Sequence, residues 1–245
     1  YDIKLKAHSI QNDEGYDIMR WSGLGIVNKK FNFNSFLIDT DANIGLDLYS
    51  IQGRPFSDKN ESRYIDRISS GFSVAASNQY GLTNNGSELV IEPKIQISSF
   101  FSPDRTAQVP NRDSSDFRND HANLFLTNQY QGRDNIQTNQ KIDFGLDNEL
   151  QTGIGSFSFF IGQSQRIGGT NDNILNSNSS RQSDFINEFT WEISEKYNLS
   201  YNSLLDHHDL EENYTSLELF GKLYGINYDL IHRSINKDII NDNND

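Results

Sequence analysis

The sequence predicts an all-β protein, an antiparallel transmembrane β-barrel present as an incomplete segment of about eleven strands. Three observations predict it: long runs that alternate apolar and polar residues, connections that alternate between short and long, and aromatic residues gathered near the ends of the runs. In "KIDFGLDNEL", residues 141–150, Ile142, Phe144, Leu146 and Leu150 take even positions while Lys141, Asp143, Asp147 and Glu149 take odd ones. Successive side chains of a strand point to opposite faces, so this run has one oily and one charged face. A surface strand of a soluble sandwich and a barrel strand between lipid and a watery lumen share that pattern.

Alternating runs place strands near 1–9, 16–28, 32–51, 64–79, 87–100, 138–150, 154–166, 184–194, 197–206, 213–222 and 225–234. Several match or exceed the roughly 9–11 residues that a tilted strand needs to cross a bilayer. "IDTDANIGLDLY" sets Ala42, Ile44, Leu46 and Leu48 against Asp39, Asp41, Asn43 and Asp47, and "FINEFTWEIS" sets Phe189, Trp191 and Ile193 against Glu188, Thr190 and Glu192. Tight turns are expected near 28–31, 151–154, 195–197 and 222–225, a medium one at 80–86, and longer polar loops at 52–63, 167–183 and 207–212. Barrels show this rhythm, with short periplasmic turns and long external loops. It survives only if 101–137 is one long external loop, although that stretch contains the apolar patch "ANLFLT". Tyr16, Trp21, Phe31, Tyr80, Phe100, Tyr197, Tyr214 and Tyr224 are the expected members of aromatic girdles at the two membrane interfaces.

Composition narrows the function classes. The formal charge is −13, with 21 Lys and Arg against 34 Asp and Glu, and the scattered basic residues exclude nucleic acid as a partner. A mean hydropathy of −0.68 and the absence of a long apolar run exclude a membrane-spanning helix, which needs about 20 apolar residues. Zero cysteines exclude disulfides and thiolate metal sites. The chain opens inside the alternating run "YDIKLKAH" and ends on "IINDNND", so residues 1–245 are expected to be part of a single outer-membrane barrel domain truncated at both ends.

No residue set points to catalysis or a cofactor. "DHHD", residues 206–209, offers imidazoles and carboxylates, but adjacent strand positions diverge and no third His lies nearby, so it reads as a polar loop tip rather than a metal site. "GIGSFSF" lacks the third glycine of a dinucleotide fingerprint and reads as a hairpin turn. Asp143, Asp147 and Glu149 have the composition of a glycosidase pair, yet same-face neighbours on any strand meet that spacing, and a solvated barrel wall explains them better.

A more specific pattern runs through the middle of the chain. It comprises Ile91, Glu92, Pro93 and Lys94; Pro110, Asn111, Asp113 and Ser114; Asn123, Leu124 and Phe125; Asn128, Gln129, Tyr130, Gly132, Arg133, Asp134 and Asn135; and the pair Gly162 and Gln163. In order and spacing these pieces resemble the C-terminal barrel of the lipopolysaccharide-assembly family LptD, also called organic solvent tolerance protein OstA. Lys94, Gln129 and Asn135 stand where the family usually has Arg.

The resemblance implies an outer-membrane barrel of about 26 strands that passes lipopolysaccharide into the outer leaflet without covalent chemistry. Its implied partners are lipopolysaccharide, an LptE-like plug lipoprotein, outer-membrane lipid, and an LptA-like periplasmic bridge reached through an N-terminal jellyroll that has no counterpart here. Asp41, Asn43, Asp47, Glu92, Lys94, Asp143, Asp147, Glu149, Glu188 and Glu192 are the expected lumen-facing wall. An acidic lumen would repel lipid phosphates unless divalent cations bridged them. A porin-like barrel and a soluble carbohydrate-binding β-sandwich are the alternatives, the first marked by ion conductance and the second by apolar faces buried against each other.

Overall fold

Alternating runs that follow one another through short turns pair with their sequence neighbours. The computed structural model describes residues 2–10, 16–53, 62–102, 109, 115–116, 120–127, 130–132, 134, 136, 138–169 and 181–236. The strands are β1 (Asp2–Ile10), β2 (Tyr16–Phe33), β3 (Phe36–Gly53), β4 (Ser62–Ser77), β5 (Tyr80–Asn84) and β6 (Ser87–Phe101). After the short pieces β7 (Ser115–Asp116), α1 (His121–Leu124) and β8 (Tyr130–Gln131) come β9 (Asn139–Thr152), β10 (Gly155–Gly169), β11 (Phe185–Ser194), β12 (Tyr197–Leu205), β13 (Glu212–Leu223) and β14 (Ile226–Ile235). They form one antiparallel sheet in the order β1-β2-β3-β4-β6-β9-β10-β11-β12-β13-β14, with β5 beside β6. β1 and β14 are its edges, so the sheet is an open barrel segment, as the sequence predicts.

Paired residues of antiparallel strands lie on the same side, so the register shows which side chains share a face. Asp47 pairs with Arg67 and Ser22, Gln96 with Asp143, and Asp143 with Ser164, which puts these groups on one face. The opposite face carries Trp21, Ile44, Leu46, Phe72, Ile97, Phe144 and Leu230. Burial is inverted relative to a soluble protein: Asp47, Arg67 and Asp143 are 0% exposed, whereas Ile44 is 61% and Ile97 57% exposed. Among the described residues no second sheet covers the apolar face. A soluble sandwich requires such a cover.

Several local expectations need correction. The turn expected at 28–31 lies at 34–35, where Asn34 takes the left-handed conformation with φ 55. Residues 28–30 stay in the ladder because Asn28 Nδ2 donates to Asp41 at 3.0 Å and Lys30 pairs with Asp39 at 3.1 Å across β2 and β3. The medium turn expected at 80–86 is a strand, β5, closed by a two-residue turn with Asn85 at φ 47 and Gly86 at φ 80. Positive φ at both positions matches the right-handed twist of a hairpin, and Asn-Gly is its strongest sequence signal. β4 and β5 lie in one register on β6, Ser77 opposite Lys94 and Tyr80 opposite Ile91. They are parted where Pro93, which has no N–H, faces Asn78; Asn78 N–H still donates to Pro93 O at 3.4 Å.

Two expected girdle residues, Phe100 and Tyr214, are instead buried on the polar face, while Trp21, Phe31 and Tyr80 lie exposed on the apolar face. Both buried rings sit at positions of polar-face parity, which proximity to a strand end does not reveal.

Asn85→Val places a β-branched residue at a left-handed position and should lower unfolding stability by about 1–2 kcal/mol. Urea midpoints of the detergent-folded protein would measure it, and an unchanged midpoint would contradict the turn geometry.

Candidate functional site

Hairpin partners β6 and β9 pair directly, so the chain between them must leave and return at the same end of the sheet. Thr138 closes the neck: its Oγ1 accepts from Ser102 N–H at 3.1 Å and donates to Ser102 O at 2.7 Å. The described residues of the 101–137 segment touch the polar face in three places.

In the first, Val109 joins Ile18, Tyr49, Ile51 and Ile65 in a small apolar cluster. The second contact is ionic. Asp134, 4% exposed, accepts from Arg20 Nη1 at 2.7 Å and from the Tyr49 hydroxyl at 3.2 Å, and its backbone carbonyl accepts from Arg67 Nη1 at 2.7 Å. Arg67 also reaches Asp47 at 3.1 Å and Tyr49 at 2.8 Å, and Ser22 donates to the other Asp47 oxygen at 2.6 Å. One acid from the segment thereby meets β2, β3 and β4 together. Removing one member of a buried ion pair costs about 3–5 kcal/mol because its partner is left desolvated.

The third contact is a single helical turn. Asp120 accepts from Asn123 N–H at 2.9 Å and Asn123 Oδ1 accepts from Asp120 N–H at 2.9 Å, a reciprocal cap that holds α1 closed. Leu124, fully buried, packs with Phe160, Ile186, Leu204 and Tyr214, with Phe125 alongside. Room for it comes from two glycines: a Cβ at Gly162 would lie 2.6 Å from Leu124, and one at Gly145 2.8 Å from Phe125. Carbonyls left open by so short a helix are met from the wall. Lys141 donates to Leu124 O, and Gln96 Nε2 to Phe125 O at 2.7 Å. Lys141 is itself paired with Asp143 at 3.0 Å, and Asp143 accepts from Ser164 at 2.7 Å.

Charge orders the start of α1 as well. His121 N–H donates to Glu188 at 2.8 Å, its ring stacks on Phe160 at 3.9 Å, and its Nε2 lies 3.1 Å from Asp147. The bond to Asp147 holds the imidazole pKa above its ordinary value against the effect of partial burial, and the Asp147 and Glu188 charges add to the rise. Lys94 works in the opposite direction and lies over the Phe125 ring at 4.1 Å.

By register, Asp41, Asn43, Asp47, Glu92, Lys94, Asp143, Asp147, Glu149, Glu188 and Glu192 all lie on this one face. Asp47, Lys94, Asp143, Asp147 and Glu188 hold or flank the docked segment as described, while Glu92 accepts from Gln79 at 2.6 Å and Glu149 from Gln151 at 2.7 Å away from it. Of the family-pattern residues, Asp134 and Gly162 are contact points, Pro93 breaks the ladder, Gln163 donates to Ser183 O at 3.0 Å, and Gly132 lies exposed. Pro110, Asn111, Asp113, Ser114, Asn128, Gln129, Arg133 and Asn135 lie outside the described residues.

Sequence reading missed Arg20, Tyr49, Arg67, Gln96, His121 and Phe160. For Arg67 a signal existed, since it is a long cationic side chain at a polar-face position followed on that face by Ser69, Gly71, Ser73, Ala75 and Ser77. The spacing Asp120 to Asn123 was likewise a readable cap. The arrangement joins opposite charges and meets open carbonyls, which positions a segment rather than activating a nucleophile.

The family model described as LptD, LPS transport system D, matches residues 1–243. Among curated proteins no match is found.

Gly162→Val should undock α1 at a cost of about 1–3 kcal/mol, read as faster proteolysis within 101–137, whereas Gly81→Ala, where a Cβ meets nothing within 4 Å, should leave it unchanged. The His121 contribution follows from its raised pKa. It is fully present below the unfolded value near 6.5 and lost as pH rises through the higher folded value. Hydrogen exchange at 120–127, corrected for intrinsic rates, should therefore lose protection on the alkaline side in the wild type, and His121→Gln should flatten that dependence.

Proposed function

The chain belongs to the LptD family of lipopolysaccharide transport proteins, and from that premise we propose that it walls an outer-membrane barrel which inserts lipopolysaccharide into the outer leaflet. The observation that carries this reading is the inverted burial, with Asp47, Arg67 and Asp143 enclosed on one face and Ile44, Phe72 and Ile97 exposed on the other. In lipid, strands cross only where their backbone groups are paired and their outer side chains are apolar. β3 over 42–48 and β9 over 142–146 satisfy both, since each is paired on its two sides there and turns Ala42, Ile44, Leu46 and Leu48, or Ile142, Phe144 and Leu146, to the outer face.

In this proposal the polar face, including the ten expected wall residues, lines the lumen, and 101–137 is an external connection folded inward. A cavity of about 610 Å³ between that segment and the wall is lined by Lys30, Asp39, Asp41, Lys94, Gln96 and Phe125. Mixed charge and amide groups there offer hydrogen bonds to sugar hydroxyls and phosphates, while the apolar face offers acyl chains a path beside the bilayer. An LptE-like plug and an LptA-like bridge complete the proposed assembly.

The test is complementation in cells depleted of the native protein, scored by the arrival of newly made lipopolysaccharide at the cell surface. Wild type should restore it; failure of a well-assembled wild type would overturn the proposal. Ile97→Arg places a cation on the lipid face at a cost of about 2–4 kcal/mol near the midplane and should block assembly, whereas Glu149→Gln on the other face should assemble normally. Equal tolerance of both would contradict the assignment of faces.

A further inference from the structure

At the long-connection end of β11, β12 and β13, Asp184, Asp206 and His207 converge, each offering one ligand atom within 4.8 Å of the other two. We propose that these three residues bind a divalent transition-metal ion of the Zn²⁺ class. The two His-Asp neighbours in "DHHD" lack a third ligand along the chain, and the fold supplies it from the start of β11.

Three features support an ion here beyond the presence of acids. Asp184 is 3% exposed, and among the described residues its carboxylate accepts from Asn213 Nδ2 at 2.8 Å through Oδ2, so Oδ1 is the oxygen open to a ligand. Asp206 is fixed in the same way: His208 and Asp209 N–H both donate to Oδ1, at 2.7 and 3.4 Å, which leaves Oδ2. Neither carboxylate has a Lys or Arg partner among the described residues, so the buried acid faces a second acid with the imidazoles of the 207–208 tip beside it. Burial, and to a smaller degree the Asp206 charge, push Asp184 up to about 6.

Ligand type selects the metal. Ca²⁺ and Mg²⁺ take oxygen shells, whereas one imidazole with two carboxylates suits Zn²⁺, which accepts both donor types at about 2.0–2.2 Å. Three protein ligands leave a fourth position to water. Ligand atoms around a tetrahedral ion of that bond length sit about 3.4 Å apart, so closure asks for side-chain movement of about an ångström, most readily at the 206–209 tip. A bound ion would clip the β12–β13 connection to the base of β11.

The test uses the full protein, folded in detergent and stripped with EDTA, titrated with Zn²⁺ by calorimetry and with Co²⁺ by visible absorption. One ion per chain is expected, with the Co²⁺ bands of a four-coordinate site. Asp184→Asn and His207→Gln should each weaken binding by about 100-fold or more, and Asn213→Ala, which frees the Asp184 carboxylate, by about tenfold. His208→Gln should bind as wild type does. If Asp184→Asn fails to fold, His207→Gln at the loop tip carries the same comparison. Absence of Zn²⁺ binding, equal binding by the variants, or preference for Ca²⁺ over Zn²⁺ would overturn the proposal.

Discussion

One parity constraint runs through the sheet from β1 to β14. Antiparallel pairing keeps partners on one side, so a slip of one residue anywhere would turn a strand's acids toward the apolar face and its Leu, Ile and Phe toward the polar one. The bulges lie near strand ends, at Arg166–Gly168, Glu192–Ser194 and Leu204–Leu205, where a local irregularity does not carry the error across the strand. Everything else depends on that parity. It brings Asp47 beside Arg67, Asp143 beside Gln96 and Ser164, and leaves Ile44 and Ile97 on the far side.

A wall of buried charges is costly unless each charge is met. Arg67 and Lys141 are 0% and 1% exposed, and each divides its donors between a neighbouring carboxylate and a backbone carbonyl of the 101–137 segment. Segment and wall thus desolvate one another and satisfy one another. The segment, whose described residues form one helical turn and two-residue strands, obtains from the wall partners that longer elements would supply internally. Size matters as much as charge, because only the missing side chains at Gly145 and Gly162 let Phe125 and Leu124 reach the sheet.

For a transport protein of the LptD family, this division of labour is physically coherent. In the proposed barrel the strands supply a boundary whose outer side lipid can accept, and the docked segment covers part of the polar side. Its contacts are ionic and amphipathic rather than a broad apolar core, and one of them, at His121, depends on protonation. Attachments of that kind answer to local charge, which suits the proposed passage of a phosphorylated, sugar-bearing lipid.

The sequence by itself determined most of the strands, their faces and the all-β class, because a period of two is written into consecutive residues and needs no distant partner to be read. It misplaced the β2–β3 turn and passed over β5, where cross-strand pairing by Asn28 and Lys30 and the handedness of Asn85 and Gly86 outweighed the local impression of a loop. Only the tertiary structure decided what the polar face holds. Arg20 meets Asp134 across 114 residues, and Asp184 meets Asp206 and His207 from another connection. Alternation says which side a residue faces; it carries no information about which distant carbonyl or carboxylate arrives there, since that depends on how a long connection folds back once the sheet beneath it has formed.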